Sequence, residues 1–201
     1  MTDSFMRCCT RLLDLLLRGV LLAWLCIATA HAQGVSVGKA ELRAGEEGYQ
    51  LSVDYDVNLT YVVQQALSRG IPLYFVAEFS VVRSRWYWLD DEVFRSEQVT
   101  KLSYNVLTRQ YRLSRGALFQ NFATLESVLR LLSRQSSTVI PADALAEDGN
   151  YIAAARLRLD AGQLPRLLQV NALTGKDWTL DSDWYRWVVR PVAPTGENRT
   201  E

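Results

Sequence analysis

Beyond residue 32 this chain has no cysteine, no histidine and no methionine. Cys8, Cys9, Cys26, His31, Met1 and Met6 all precede that point. Without thiols, the remaining 169 residues (201 less 32) form no disulfide, so stability must come from apolar burial. Without imidazole or thiol they hold no Ser-His-Asp triad, no cysteine nucleophile, no His-ligated zinc and no haem ligated by His, Cys or Met. No cofactor is expected. Lysine is nearly absent too: Lys39, Lys101 and Lys176 stand against 16 arginines in that part. Its charge is balanced, with 19 basic and 20 acidic residues once Arg7, Arg11, Arg18, Asp3 and Asp14 are set aside. A near-neutral chain has no whole-molecule electrostatic reason to bind nucleic acid.

What stands before residue 33 reads as a leader. Arg7, Arg11 and Arg18 precede the apolar run Gly19 to Ala28, which ends at Ala30-His31-Ala32. A basic region, a short apolar run and an A-x-A site are the parts of a secretory signal peptide, with cleavage before Gln33. The run falls short of the about 20 apolar residues that a membrane span needs. The expectation is a periplasmic protein without a stable membrane span once cleaved; the alternative is an inner-membrane protein anchored by an uncleaved leader.

The rest of the sequence is organised around Ile71 to Arg115. From Leu73 to Val81 the odd positions are Leu, Phe, Ala, Phe and Val, while Glu78 and Ser80 are among the even ones. This is the two-residue alternation of a strand with one apolar face. In the run Val99 to Leu113, Leu102, Tyr104 and Val106 stand on even positions and Tyr111 and Leu113 on odd ones. A change of phase swaps the faces, so a bulge or tight bend is expected near Thr108-Arg109. The two runs are expected to be the central pair of a sheet. Before them, Val35 to Arg43 can form an edge strand, and Tyr49 to Val57 alternates with Asp54 and Asp56 outward. Asn58-Leu59-Thr60 offers a cap for a helix over Tyr61 to Arg69, closed by Gly70 and Pro72. After them, Leu118 to Phe122 is short and apolar, and Thr124 caps a second helix to about Gln135. Ser133 to Thr138 reads as polar loop. Tyr151 to Leu159 is a strand with Tyr151, Ala153, Ala155, Leu157 and Leu159 inward and Arg156 and Arg158 outward. Leu164 to Leu168 begins a short helix or turn, and Trp178 to Val189 is a last aromatic-rich segment. The fold class is therefore mainly β (α+β): an antiparallel β-sandwich-like domain with two or three short helices, residues 33–190, followed by a flexible tail, 191–201.

Two acidic groups are candidates for chemistry. Asp90-Asp91-Glu92 could pair carboxylates, and Asp181 and Asp183 bracket Ser182 beside tryptophans. For the first a solvated loop is by far the commoner arrangement, and for the second an Asx turn accounts for the residues equally well. The arginine/aromatic set is the stronger functional candidate. Arg83, Arg85, Arg109, Arg112, Trp184 and Arg186 are read as partner-binding, and Trp86, Trp88, Tyr104, Tyr111 and Trp178 as structural aromatics. Three roles stay open for this set: a cation–π ladder, a protein-binding hot spot, or a site for an anionic glycan or headgroup. Arg83 and Arg85, two apart, share one strand face if the strand continues, with Trp86 and Trp88 on the other. The strand must end, twist or bulge between Val82 and Ser84.

In order and spacing several segments resemble a known family. They are Ala66-Leu67-x-x-Gly70-Ile71-Pro72-Leu73, Arg83-x-Arg85-Trp86-x-Trp88, Leu102-Ser103-Tyr104, Leu107-Thr108-Arg109-Gln110-Tyr111, Leu157-x-Leu159-Asp160, Leu164-Pro165 and Trp178-x-Leu180-x-Ser182-x-Trp184. The chain resembles, over about Gly34 to Pro191, the bacterial exported domain-of-unknown-function family labelled 4390. The resemblance implies an exported envelope protein with no known activity. Its members are often encoded beside a membrane sensor kinase, so the partner it implies is an envelope protein such as the periplasmic part of such a kinase. The competing expectation is a carboxylate-dependent hydrolase of envelope polymers. It would need two carboxyls converging in one cleft, one of them with a raised pKa.

Overall fold

Strand β2, Gly48–Val57, shows how the alternation is realised: Tyr49, Leu51, Val53, Tyr55 and Val57 are buried, while Asp54 and Asp56 face solvent. A computed structural model describes residues 34–45, 47–84, 91–146, 149–169 and 175–191, all within one compact unit, Gln33–Glu201. The leader, Arg85, Trp86, Trp88 and the tail from residue 192 lie outside the described residues.

Strand β1, Val35–Gly45, folds back on β2, and the chain then enters helix α1, Tyr61–Ser68. The Thr60 hydroxyl caps α1 by accepting from the Val63 amide at 3.3 Å. Gly70, at φ +85°, closes it, and the Ile71 amide returns to the Ala66 carbonyl at 3.1 Å. Next come β3, Leu73–Arg83, and β4, Asp91–Asn105; then β5, Gln110–Arg115, and β6, Leu118–Phe122. Helix α2, Leu125–Leu132, is capped by Thr124 and buries Val128 and Leu132. Short strands β7, Arg134–Ser136, and β8, Ile140–Pro141, precede β9, Tyr151–Leu159, and β10, Tyr185–Val189.

All pairings are antiparallel. One sheet runs β1-β2-β7, with β8 also on β2, and the other β10-β9-β3-β4-β5-β6. The buried side of β2 and the odd positions of β3 and β9 form one core with Val63, Leu67, Val128, Leu132 and Trp178. Two sheets closing on a shared apolar layer, with two α-helices among the described residues, make a β-sandwich-like α+β domain. Burying that layer supplies the driving force, at about 25 cal/mol per Å².

The central pair is β3 and β4, third and fourth of six strands. The phase change in the second run is a hairpin: residues 106–109 turn the chain between β4 and β5. The Asn105 carboxamide oxygen accepts from the Leu107 and Thr108 amides, and Arg109 takes φ +54°. The expected irregularity near Val82 is a register shift between Val81 and Val82, after which β3 ends at Arg83. Ser133 to Thr138 is not all loop, and α2 ends at Leu132 rather than near Gln135. The difference comes from long-range pairing: β7 docks on Ser52 to Asp54, and the Gln98 side-chain Nε2 donates to the Ser136 carbonyl at 2.7 Å. Gly48, at φ +138°, lets β8 approach, since a Cβ there would collide with the Ile140 carbonyl.

Candidate functional site: the outer face of the six-stranded sheet

Inner positions of β3, β4 and β9 face the core, so the opposite positions form an outer face ordered by the strand register. One cross-strand row holds Glu97, Glu78 and Arg156. The next holds Arg95, Ser80, Ala154 and Arg186, and a third holds Glu92, Val82, Ile152 and Val188. Side chains in such rows are cross-strand neighbours and interact directly.

Glu78 is the centre of the first row. Its side chain is only 9% exposed, and its carboxylate accepts from Arg156 Nη2 at 2.8 Å and from Arg158 Nε at 2.6 Å. Arg158 also lies 3.8 Å from Glu97, and Arg156 lies 3.8 Å from Asp181. Burial pushes the Glu78 carboxyl up, but the hydrogen bonds and charges of Arg158 and Arg156 outweigh it and hold the group below its ordinary range. The same bond raises Arg158. Trp184 covers Arg156, with the guanidinium 4.8 Å from the ring centroid. This is a fixed, ionised cluster in the middle of the sheet.

The second row has short residues in the middle and arginines at its ends. A depression of about 300 Å³ lies there, lined by Ser80, Val82, Glu92, Arg95, Ile152, Ala154, Trp184 and Arg186. Farther along the face, Lys101 lies over Tyr74 and Arg112 over Phe119, at 5.7 and 4.7 Å from the ring centroids.

Trp184 and Arg186 thus meet at the depression, while Arg112 sits at the β5–β6 end of the same face, bonded to Asn121 at 3.0 Å. Arg109 is on the β4–β5 hairpin tip. Arg83 follows the inner positions to the end of the core: its guanidinium donates to the Tyr151 hydroxyl at 3.1 Å and lies 5.5 Å from that ring's centroid. Tyr104 and Tyr111 pack as a pair with centroids 4.7 Å apart, and Trp178 is buried. Asp181 and Ser182 form a backbone-bonded turn: Asp181 accepts from the Asp183 amide and Ser182 from the Leu157 amide, both at 3.0 Å. Among the described residues, no group of three or more His, Cys, Asp or Glu side chains is placed to hold a metal ion.

Glu78, Ser80, Arg95 and Arg156 belong to this face and were not in the candidate set. The signal was present: a glutamate inside an apolar strand, and Arg-x-Arg on the outward positions of another. Only the pairing register brings them together.

Fold and face together define a mainly β, two-sheet antiparallel domain whose longer sheet carries its ionic groups in cross-strand rows. The chain belongs to the family described as Domain of unknown function (DUF4390), whose model matches residues 32–188. No curated protein and no solved structure matches it.

Proposed function

We propose that this is an exported, non-catalytic module of the bacterial envelope that binds its partner through the outer face of the six-stranded sheet. The observation that carries this reading is the state of the converging acids. Glu78 and Glu97 stand directly opposite each other on β3 and β4, but Arg158 reaches both, and Glu78 is held ionised. A hydrolase of the two-carboxylate type needs one acid raised enough to carry a proton. Glu78 is displaced in the opposite direction. Around it the face offers arginine and tryptophan, residues suited to recognition hot spots. Export is supported by the leader, and a link to a sensor kinase by the family resemblance.

The test is photo-crosslinking in intact cells from probes at positions 99 and 186, on the outer face, and at position 54, on the other sheet. Partner adducts should form at 99 and 186, fade with added salt, and be absent at 54. N-terminal mass analysis of the same material should begin at Gln33. Adducts from position 54 alone would refute the surface, and a polymer-cleaving activity lost in Glu78→Gln would favour the hydrolase.

A further inference from the structure

The row Arg95–Ser80–Ala154–Arg186 has a property that the rows beside it lack: its cations are incompletely used. Arg186 is exposed and has no hydrogen bond, ion pair or ring contact among the described residues. The Ser80 hydroxyl, on the floor between the two arginines, is likewise without a partner among the described residues. Arg95 has one ionic neighbour, Glu92 at 3.5 Å, in a pair whose side chains are 65% and 48% exposed. Such an exposed pair is worth little, so an incoming anion displaces Glu92 at small cost.

The spacing suits an anion. β4 and β10 are three strand intervals apart, roughly 14 Å between backbones. Ser80 and Ala154 are too short to fill the gap, whereas arginine side chains reach inward from both sides. Guanidinium groups bind oxyanions through paired N–H donors, and a serine hydroxyl adds a third donor from below. The neighbouring rows give the depression two unlike walls. On one side Trp184 closes it, and that ring lies over Arg156 of the neutralised Glu78–Arg156 pair in the adjoining row. On the other, Val82, Ile152 and Val188 form an aliphatic strip, with Val188 67% exposed. A volume of about 300 Å³ is that of a small-molecule site.

We propose that this row is an oxyanion subsite taking a phosphate or carboxylate carried on a short aliphatic body. The oxyanion lies between Arg95 and Arg186 above Ser80, and the body lies along Val82, Ile152 and Val188. The proposal deepens the reading of this face as the recognition surface and rests on it.

The test is calorimetric titration of the protein expressed from the full-length chain with n-hexyl phosphate, n-hexanoate, inorganic phosphate and n-hexanol. Hexyl phosphate and hexanoate should both bind, and their ratio tells which oxyanion the row prefers. Inorganic phosphate should bind more weakly and hexanol not at all. Arg186→Gln alters an exposed side chain with no hydrogen bond or ion pair among the described residues, so the fold should persist. It should weaken hexyl phosphate about ten- to hundredfold, the cost of one charge-assisted contact. Arg95→Gln should weaken it as well, and Glu92→Gln should tighten it severalfold by freeing Arg95. Hexanol binding as well as hexyl phosphate would overturn the proposal, as would inorganic phosphate matching it or an unchanged affinity in Arg186→Gln. If crosslinks from position 99 persist while neither hexyl compound binds, the subsite fails and the recognition face stands. If binding persists and those crosslinks are absent, the face reading fails alone.

Discussion

Glu78→Gln keeps the size of the side chain and removes its charge. In the parent, two arginine N–H groups donate to its two carboxylate oxygens, at 2.8 and 2.6 Å. A glutamine has one carboxamide oxygen, so one arginine keeps a neutral acceptor while the other meets an amide donor. Charge-assisted bonds are worth about 1.5–3 kcal/mol and neutral ones about 0.5–1.5 kcal/mol. Weakening one bond and losing the other therefore costs about 2–4 kcal/mol before solvent is considered. The Arg156 and Arg158 side chains are 24% and 31% exposed, and water recovers part of the loss. The expected cost is about 2–3 kcal/mol at pH 7, a fall in Tm of roughly 4–12 °C for a domain of this size. The sign of its pH dependence is fixed by linkage. Glu78 has a folded pKa below its unfolded value of about 4.3, so its contribution is present above that value and is lost as pH falls through the folded one. Urea titrations from pH 7 to pH 3 should show parent and variant converging in acid. A cost under about 0.5 kcal/mol at pH 7, or one that does not shrink in acid, refutes the reasoning. Replacing Glu78, Arg156 and Arg158 together by leucine or methionine should be far milder than Glu78→Gln, because no charge is left buried alone.

Other positions give independent tests. The Tyr55 phenol is buried without a hydrogen-bond partner among the described residues, and burial, then the Glu78 charge, raise its pKa. Stability should hold at neutral pH and fall above about pH 10, where the unfolded phenol ionises. Tyr55→Phe should remove that alkaline loss and be neutral or stabilising by about 1 kcal/mol in chemical denaturation; a clear destabilisation would show that the hydroxyl has a partner. Gly48→Ala should cost more than about 2 kcal/mol, because its methyl group meets the Ile140 backbone at a φ that alanine avoids, and unchanged melting would refute this. Arg83→Ala should cost about 1–2 kcal/mol through the lost Tyr151 contacts, where a purely recognition role predicts a change within about 0.5 kcal/mol.

Strand β9 was legible to the residue, because five inward apolar side chains and two outward arginines leave one reading of its faces. Strand β3 and the pairing of its neighbour were legible for the same reason, but β4 begins at Asp91 rather than Val99, its first half lacking a clean alternation. Thr60, Gly70 and Thr124 marked helix ends through local chemistry alone. The short strands β7 and β8 were not, since their partner β2 lies 80 or more residues earlier, β7 is wholly polar and β8 is only two residues long. The candidate site divided along the same line. Trp184 and Arg186 were identified by residue type, but the groups that shape their surroundings were hidden in the partnering of four strands. Arg83 shows the limit of alternation: following odd positions correctly puts it with the core, at the point where Tyr151 ends and a polar cap is needed.

The central ion cluster also bears on how the chain chooses among its own misfolded forms. Apolar alternation rejects any slip of β9 along β3 by one residue, since that would turn the core outward, but a slip by two leaves every apolar side chain inward. Charge supplies the missing discrimination. In the native register Glu78 stands opposite Arg156, with Arg158 next along the strand. A slip by two in one direction sets the carboxylate opposite Ala154. In the other direction Glu78 faces Arg158, with Arg156 on one diagonal and Asp160 on the other. The first leaves Glu78 one diagonal arginine in place of two partners, and the second sets a like charge beside it, so both are poorer than the native arrangement. The glutamate inside an otherwise apolar strand thus acts as an alignment key, since of these three registers the native one alone gives it both arginines with Asp160 kept away.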